Sequence, residues 1–205
     1  MDKAKYLIPL LALLLSLQAV IARVEYFGID AQIIDDAHAD IKFTIYKAKE
    51  FSFKFYGNIR NISSNVDCFA EGELIYCKSG NETAINVQIV SDIVARAGNT
   101  YNFNIQMELK NDVDRATSLV TLPIGMIIKD ERDIFPSNFK TLSNGRNILV
   151  YWELENVSST QPLSFRVKYQ SVQPSPEIFS KFYLLIIILV IAQNNPPYAI
   201  INSML

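Results

Sequence analysis

One histidine, two cysteines and a scatter of carboxylates are the reactive groups that this 205-residue sequence offers. The histidine, His38, sits in the run Asp35-Asp36-Ala37-His38-Ala39-Asp40. Carboxylate oxygens and one imidazole in such a loop are ligands for a divalent cation. The same residues also make an ordinary solvated turn ahead of a strand starting at Ile41, and that is the reading adopted, with no metal expected. A Ser-His-Asp or Cys-His site would have to use His38, and no G-x-S-x-G nucleophile elbow is present. Glu153 and Glu155 are candidates for the paired acids of sugar hydrolysis, which stand about 5–10 Å apart. Every sheet sets acids on its wet face, however, so an envelope glycosidase is kept only as the least favoured alternative. Asp112-Val113-Asp114 reads as a loop rather than a ligand pair, and no glycine-rich phosphate loop occurs. No catalytic residue, metal or cofactor is therefore expected. Tyr46, Tyr56 and Tyr151 offer an aromatic surface patch for a glycan or a protein partner, although lone exposed aromatics are common. Trp152 reads as core.

The cysteines carry a sharper inference. Cys68 and Cys77 flank Phe69-Ala70-Glu71-Gly72-Glu73-Leu74-Ile75-Tyr76. A two-residue type II′ turn wants glycine at its first central position, which places the turn at Gly72-Glu73. Cross-strand partners then run Glu71 with Leu74, Ala70 with Ile75, Phe69 with Tyr76 and Cys68 with Cys77. Pair types alternate outward from the turn, so the cysteines fall on a non-hydrogen-bonded pair, whose close Cα spacing suits a disulfide. Val66, Ala70 and Ile75 share the cysteine face and can point inward. Phe69 with Tyr76 and Asp67 with Lys78 pair on the other face. A slip of one residue would lose all of these at once. A Cys68–Cys77 disulfide is expected, and the spacing is not the C-x-x-C of a redox centre.

Three N-x-[ST] acceptors occur, at Asn61, Asn81 and Asn156. All fall in expected loops or strand ends, so each is a candidate glycosylation site.

The elements that must position these groups are strands. Tyr101, Phe103, Ile105, Met107 and Leu109 alternate with polar residues, as do Leu163, Phe165, Val167 and Tyr169. Phe51, Phe53 and Phe55, then Ile85, Val87 and Ile89, and then Ile148, Val150, Trp152 and Leu154 follow the same period of two. This is the pattern of antiparallel strands with one wet face. Repeated short strands separated by turn residues predict an all-β, antiparallel β-sandwich. Residues 24–30 open the first strand, residues 41–46 and 50–56 are two strands joined near Ala48, and Asn144-Gly145 is a turn ahead of the Trp152 strand. The sandwich is expected over 23–173, with two smaller sandwiches split near 115 as the alternative.

Composition narrows the class. Half the residues are apolar, a fifth are charged, and the net charge is −2. Such a chain is neither intrinsically disordered nor a strongly basic nucleic-acid binder. Two cysteines are too few for a thiolate-rich zinc site.

Both ends point to a membrane. Lys3 and Lys5 precede an almost wholly apolar stretch, 7–17, and Ala22 offers a small residue at an exit, so 1–22 reads as a signal peptide. An uncleaved anchor is the alternative. Residues 182–192 are unbroken apolar, or ~16 Å as a helix against a hydrocarbon core of ~30 Å. The expected layout is a stalk at 174–180, a short single-pass transmembrane segment at 181–193 and a tail at 194–205. Alternatives are a longer span cut short by truncation or frameshift, and a buried strand or core helix.

One resemblance adds to this. Leu122-Pro123-Ile124-Gly125, then Asn144-Gly145-Arg146 leading into Val150-Tyr151-Trp152, then Val167-Lys168-Tyr169 ahead of an apolar run resembles a group of archaeal cell-surface proteins. In these an exported β-sandwich precedes a transmembrane helix, and the luminal domain of ribophorin I is distantly similar. Asn144 stands here where the group has an acidic residue. The resemblance covers roughly 121–190 and implies placement and topology rather than an activity. The expectation is a non-catalytic ectodomain on the outer side of the cell membrane, for surface recognition or sensing. Its partners would be the membrane and an envelope protein or glycan, with no nucleic acid. An accessory subunit of an envelope complex, such as one for glycan transfer, is the alternative.

Overall fold

The computed structural model describes residues 23–80 and 82–172. The stretches expected as signal peptide (1–22), stalk (174–180), transmembrane segment (181–193) and tail (194–205), together with Asn81, lie outside the described residues. Among the described residues, no helix is long and apolar enough to cross a membrane.

Fifteen strands follow one another: β1 (Val24–Ile33), β2 (Ala39–Tyr46), β3 (Glu50–Phe55), β4 (Asn58–Ser64), β5 (Asp67–Glu71), β6 (Leu74–Lys78), β7 (Ala84–Asp92), β8 (Val94–Ala97), β9 (Thr100–Leu109), β10 (Val113–Thr121), β11 (Met126–Ile127), β12 (Ile134–Phe135), β13 (Phe139–Ser143), β14 (Ile148–Val157) and β15 (Leu163–Ser171). A 3₁₀ turn, Glu131–Asp133, precedes β12. One sheet has the order β13-β14-β10-β1-β2-β7-β4. The other runs β11-β15-β9-β3-β6-β5, with β8 beside β9 and β12 beside β15.

The period of two explains the packing. Inward residues of both sheets form one core, in which Phe27 and Phe43 of the first sheet meet Phe51, Phe53 and Phe55 of the second. Ring centroids stand 5.4 Å apart for Phe27–Phe51 and 4.8 Å for Phe43–Phe53. Each such ring, fully buried, contributes about 1.5–3 kcal/mol. At the other side of the core, Trp152 packs on Phe165 at 5.2 Å, and its Nε1–H donates to the Pro136 carbonyl at 2.8 Å. A buried indole N–H needs such a partner. The all-β sandwich expected from the sequence is the fold observed.

One feature departs from expectation. β1 and β10 pair in parallel, with Val24 opposite Val113 and Gln32 opposite Thr121, in an otherwise antiparallel architecture. β10 reaches β1 from β9 of the other sheet, so no hairpin obliges the two to oppose. The two strands expected on either side of Ala48 do form there, in different sheets: Lys47, at φ 59°, stands where the chain passes from β2 to β3. The parallel pair also sets β10 between β1 and β14, so the chain on both sides of residue 115 enters the same first sheet.

The inward alternation of the first sheet skips along one row. Val24 and Phe27 of β1 are both buried, with Glu25 and Tyr26 turned out. Val113 and Ala116 of β10 are buried, with Asp114 and Arg115 turned out. On β14, Glu155 and Asn156 are exposed next to buried Val157, and Asn156 sits at φ 53°. Because the three strands shift together, their register holds on both sides: Tyr26 stays opposite Arg115, and Arg115 opposite Glu155. Arg23 locks this crease by pairing with Asp114 and by donating from Nη2 to Asn156 Oδ1 at 2.9 Å.

Candidate functional site

The cysteine hairpin forms as its sequence requires. β5 and β6 pair Cys68 with Cys77, Phe69 with Tyr76, Ala70 with Ile75 and Glu71 with Leu74. Cys68 and Cys77 form a disulfide with Cα atoms 4.2 Å apart. Gly72 has φ +59° and Glu73 does not share it, as a II′ turn demands. Phe69 and Tyr76 rings lie 5.3 Å apart. Two details differ from the expected picture. Ala70 is exposed, because the core tapers out at this sheet edge. Lys78, although opposite Asp67, directs its ammonium to Glu50 at 3.5 Å.

The other sequence candidates are scattered. Asn61 is exposed within the edge strand β4 rather than in a loop. Asn156 is exposed one residue before the end of β14. His38 Nδ1 lies 2.7 Å from Asp35 Oδ1, and its Nε2 faces Asp92 Oδ1 at 3.2 Å. Arg60 and Asn58 also hold Asp92. Among the described residues, no cluster of three or more His, Cys, Asp or Glu side chains could hold a metal. Asp112-Val113-Asp114 is not the loop expected, for β10 begins at Val113; Asp112, just ahead of it, accepts the Ser159 N–H at 2.8 Å, and Asp114, within it, pairs with Arg23 at the crease. Glu153 and Glu155 are exposed on open sheet surface. Of the three tyrosines, Tyr56 lies apart, its hydroxyl donating to Glu108 at 2.5 Å.

Tyr46 and Tyr151 do come together, with groups that sequence reasoning missed. They line a trough of about 710 Å³ on the outer face of the first sheet, across β1, β2, β10 and β14. Its floor is the backbone at Gly28. Beside it lies the Tyr26 ring, whose hydroxyl makes a 2.7 Å hydrogen bond with the Thr117 hydroxyl. The Tyr46 ring stands 5.6 Å from Tyr26, tilted by 49°. The Arg115 guanidinium rests over Tyr26, 5.4 Å from its centroid, a cation–π arrangement. Asp30 and Lys42 face each other across the β1–β2 pair in the same trough. Partial burial raises the Asp30 carboxyl above its ordinary value; the Lys42 ammonium opposes this and the Asp40 carboxylate adds to it. Burial and the Glu153 carboxylate push the Tyr151 phenol up.

The trough therefore offers aromatic faces, one guanidinium, one ammonium, two carboxylates and the hydroxyls of two threonines and three tyrosines within one shallow recess. The signal for it in the sequence was faint: Tyr26, Gly28 and Asp30 stand at alternate positions of an apolar strand. Their neighbours Arg115 and Thr117 come from the parallel partner β10, which no local pattern announces.

No protein-family model matches this sequence, and no curated protein matches it. Among solved structures, the fold is similar to an aminopeptidase N family protein from Idiomarina loihiensis, at 8% identity and a TM-score of 0.45. That match covers 69% of this chain and 29% of the other. It is also similar to an M1 zinc metallopeptidase from Deinococcus radiodurans, at 8% identity and a TM-score of 0.42, over 71% of this chain and 42% of that one. The folded domain of LppM from Mycobacterium tuberculosis gives 8% identity and a TM-score of 0.39, over 77% of this chain and 96% of that one. The chain thus spans well under half the length of the two peptidases, and none of the three lends this chain an activity or a ligand.

Proposed function

We propose that this chain is a membrane-tethered recognition domain, displayed outside the cell membrane, that binds a glycan in the trough of its first sheet without acting on it chemically. The arrangement of Tyr26, Tyr46 and Arg115 around Gly28 carries this reading. The faces of sugar rings carry C–H groups that are weakly positive, and aromatic faces are negative. Sugar edges carry hydroxyls, which bond most strongly to charged planar groups such as the Arg115 guanidinium and the Asp30 carboxylate. The Cys68–Cys77 disulfide supports an oxidising, extracytoplasmic setting. The basic and apolar start of the sequence and the apolar run at 182–192 support export and a tether. The resemblance to exported archaeal cell-surface sandwiches agrees with that placement.

The test is retention of the full-length chain, in detergent, on an array of neutral envelope-type oligosaccharides, beside the Tyr26→Ala variant. The expected result is retention on at least one glycan, weakened tenfold or more by the substitution. No retention on any glycan, or equal retention by the variant, overturns the reading. Alkaline carbonate extraction of expressing cells tests the tether: the chain stays with the membrane, and its recovered mass begins at or near Arg23.

A further inference from the structure

The two outer faces of the sandwich share a feature. On the first sheet Arg115 lies over an aromatic ring beside a recess, and on the second sheet so does Arg166. The Arg166 guanidinium rests over Phe135, 5.9 Å from the ring centroid. It borders a separate recess of about 500 Å³ across β8, β9, β15 and the 3₁₀ turn. Arg23, Arg60, Arg96 and Arg132 each hold a carboxylate. Arg166 pairs with no carboxylate among the described residues and rests on a ring, which leaves its N–H edge to a ligand.

The rest of the recess is mainly cationic, with Arg96, Arg132 and Lys168 against one lining carboxylate, Asp133. Lys168, two residues along on the same outer face of β15, is exposed and reaches its nearest carboxylate, Asp133, only at 3.9 Å. Arg132 binds Asp130 through Nε and Nη2, at 3.0 and 2.7 Å, so its second terminal nitrogen remains for another acceptor. Ala95 and Ala97 line the space with no more than a methyl group each. Asn102, directly opposite Lys168, lies on its floor with a covered Oδ1 that has no hydrogen-bond partner. A guanidinium already held flat on a ring loses little freedom when it grips two oxygens side by side.

We infer that this recess is a second binding site, independent of the trough, for a small hydroxylated anion that presents a carboxylate or phosphate to Arg166 and Lys168. The forked guanidinium takes two oxygens of the anion, the Lys168 ammonium neutralises it, and the ligand's hydroxyls meet Asn102 and Thr100.

Titration calorimetry of the full-length chain in detergent tests this with three probes: glucuronate, glucose 6-phosphate and glucose. Binding of either anion and not of glucose is expected, and the anion preferred assigns carboxylate or phosphate. Affinity should fall at least tenfold in Arg166→Ala and severalfold in Arg166→Lys, which keeps the charge but loses the fork. It should weaken with added salt and stay unchanged in Tyr26→Ala, which separates this site from the trough. Absence of binding by both anions, equal binding of glucose, or wild-type affinity in Arg166→Ala and Lys168→Ala overturns it.

Discussion

The Tyr26 ring lies against the α-carbon of Gly28, two residues along the same strand. A Cβ built on Gly28 would stand 2.7 Å from the Tyr26 hydroxyl oxygen and 2.9 Å from a ring carbon. Glycine inside a strand ordinarily weakens it. Here its bare backbone lets the ring lie down on the sheet, where Thr117 holds the hydroxyl and Arg115 covers the face. Because the obstruction is the outer end of one flexible side chain, Gly28→Ala should leave the fold intact. It should swing Tyr26 upright and break the bond to Thr117. The expected outcome is an unchanged circular dichroism spectrum, a melting temperature equal to or above wild type, and glycan retention reduced tenfold or more.

Gly57 is the contrasting case. A Cβ there would stand 2.5 Å from a Phe55 ring carbon, 2.8 Å from Ile93 Cγ2 and 2.9 Å from Ser91 Oγ. Phe55 and Ser91 are wholly buried and Ile93 nearly so, and none has space to yield. Overpacking of this kind costs about 1–3 kcal/mol. Gly57→Ala should lower the urea midpoint with an unchanged denaturant slope. A midpoint equal to wild type would mean that this corner of the core is looser than its contacts imply.

Much of the sandwich was legible in the sequence because a period of two is a local property. Phe51, Phe53 and Phe55 announce their own inward face, and so do the alternations of β9 and β15. The Cys68–Cys77 hairpin was legible to the residue, since Gly72 fixes the turn and the turn fixes the register. The trough was not. It depends on β10 lying parallel beside β1, a pairing across roughly ninety positions that leaves no trace in either strand. Tyr151 and Tyr46 could be named as candidate surface aromatics, but only the sheet order brings them beside Tyr26 and leaves Tyr56 on the other sheet.

The disulfide closes a loop whose ends are nine positions apart. In the chain-entropy account, such a short loop contributes about 2–3 kcal/mol by restricting the unfolded chain. β5 is an edge strand with little core of its own, for Phe69, Ala70 and Glu71 are all exposed. Replacing both cysteines by alanine should therefore destabilise the domain by about that amount and raise amide exchange first in Asp67–Glu71. Loss of stability spread evenly over the domain, with no early opening of β5, would contradict this account of the hairpin.

Acid should act through a few surface carboxylates. Hydrogen bonds from the side chain and backbone of Arg132 hold the Asp130 carboxyl down to about 2. Backbone N–H groups of Ala37 and His38 depress Asp35, and Arg60, with Asn58, depresses Asp92. A carboxylate depressed in the folded state stabilises the fold above its unfolded value, ~3.9, and loses that contribution as pH falls through its folded value. Urea midpoints should be level from neutrality to about pH 4 and decline below it. The decline should continue toward pH 2, where Asp130 takes up its proton, and Asp130→Asn should flatten its last part. A decline that begins above pH 5 would show that groups other than these carboxylates control acid stability.

Asp30 runs the other way. Its carboxyl is raised, chiefly by burial against the trough, so the folded state binds its proton more readily than the unfolded chain does. Ionisation of Asp30 therefore opposes folding, and this cost grows as pH rises through its folded value. The sheet retains a carboxylate where an amide of equal size would be easier to hold. Asp30→Asn should leave the neutral-pH stability equal to wild type or higher, while removing the one acidic acceptor that faces Lys42 across the trough. If the trough is the glycan site, that variant separates the two properties: melting temperature up or level, retention down severalfold. A variant that loses stability and keeps retention would show that Asp30 serves the fold through its pairing with Lys42, and would remove it from the binding site.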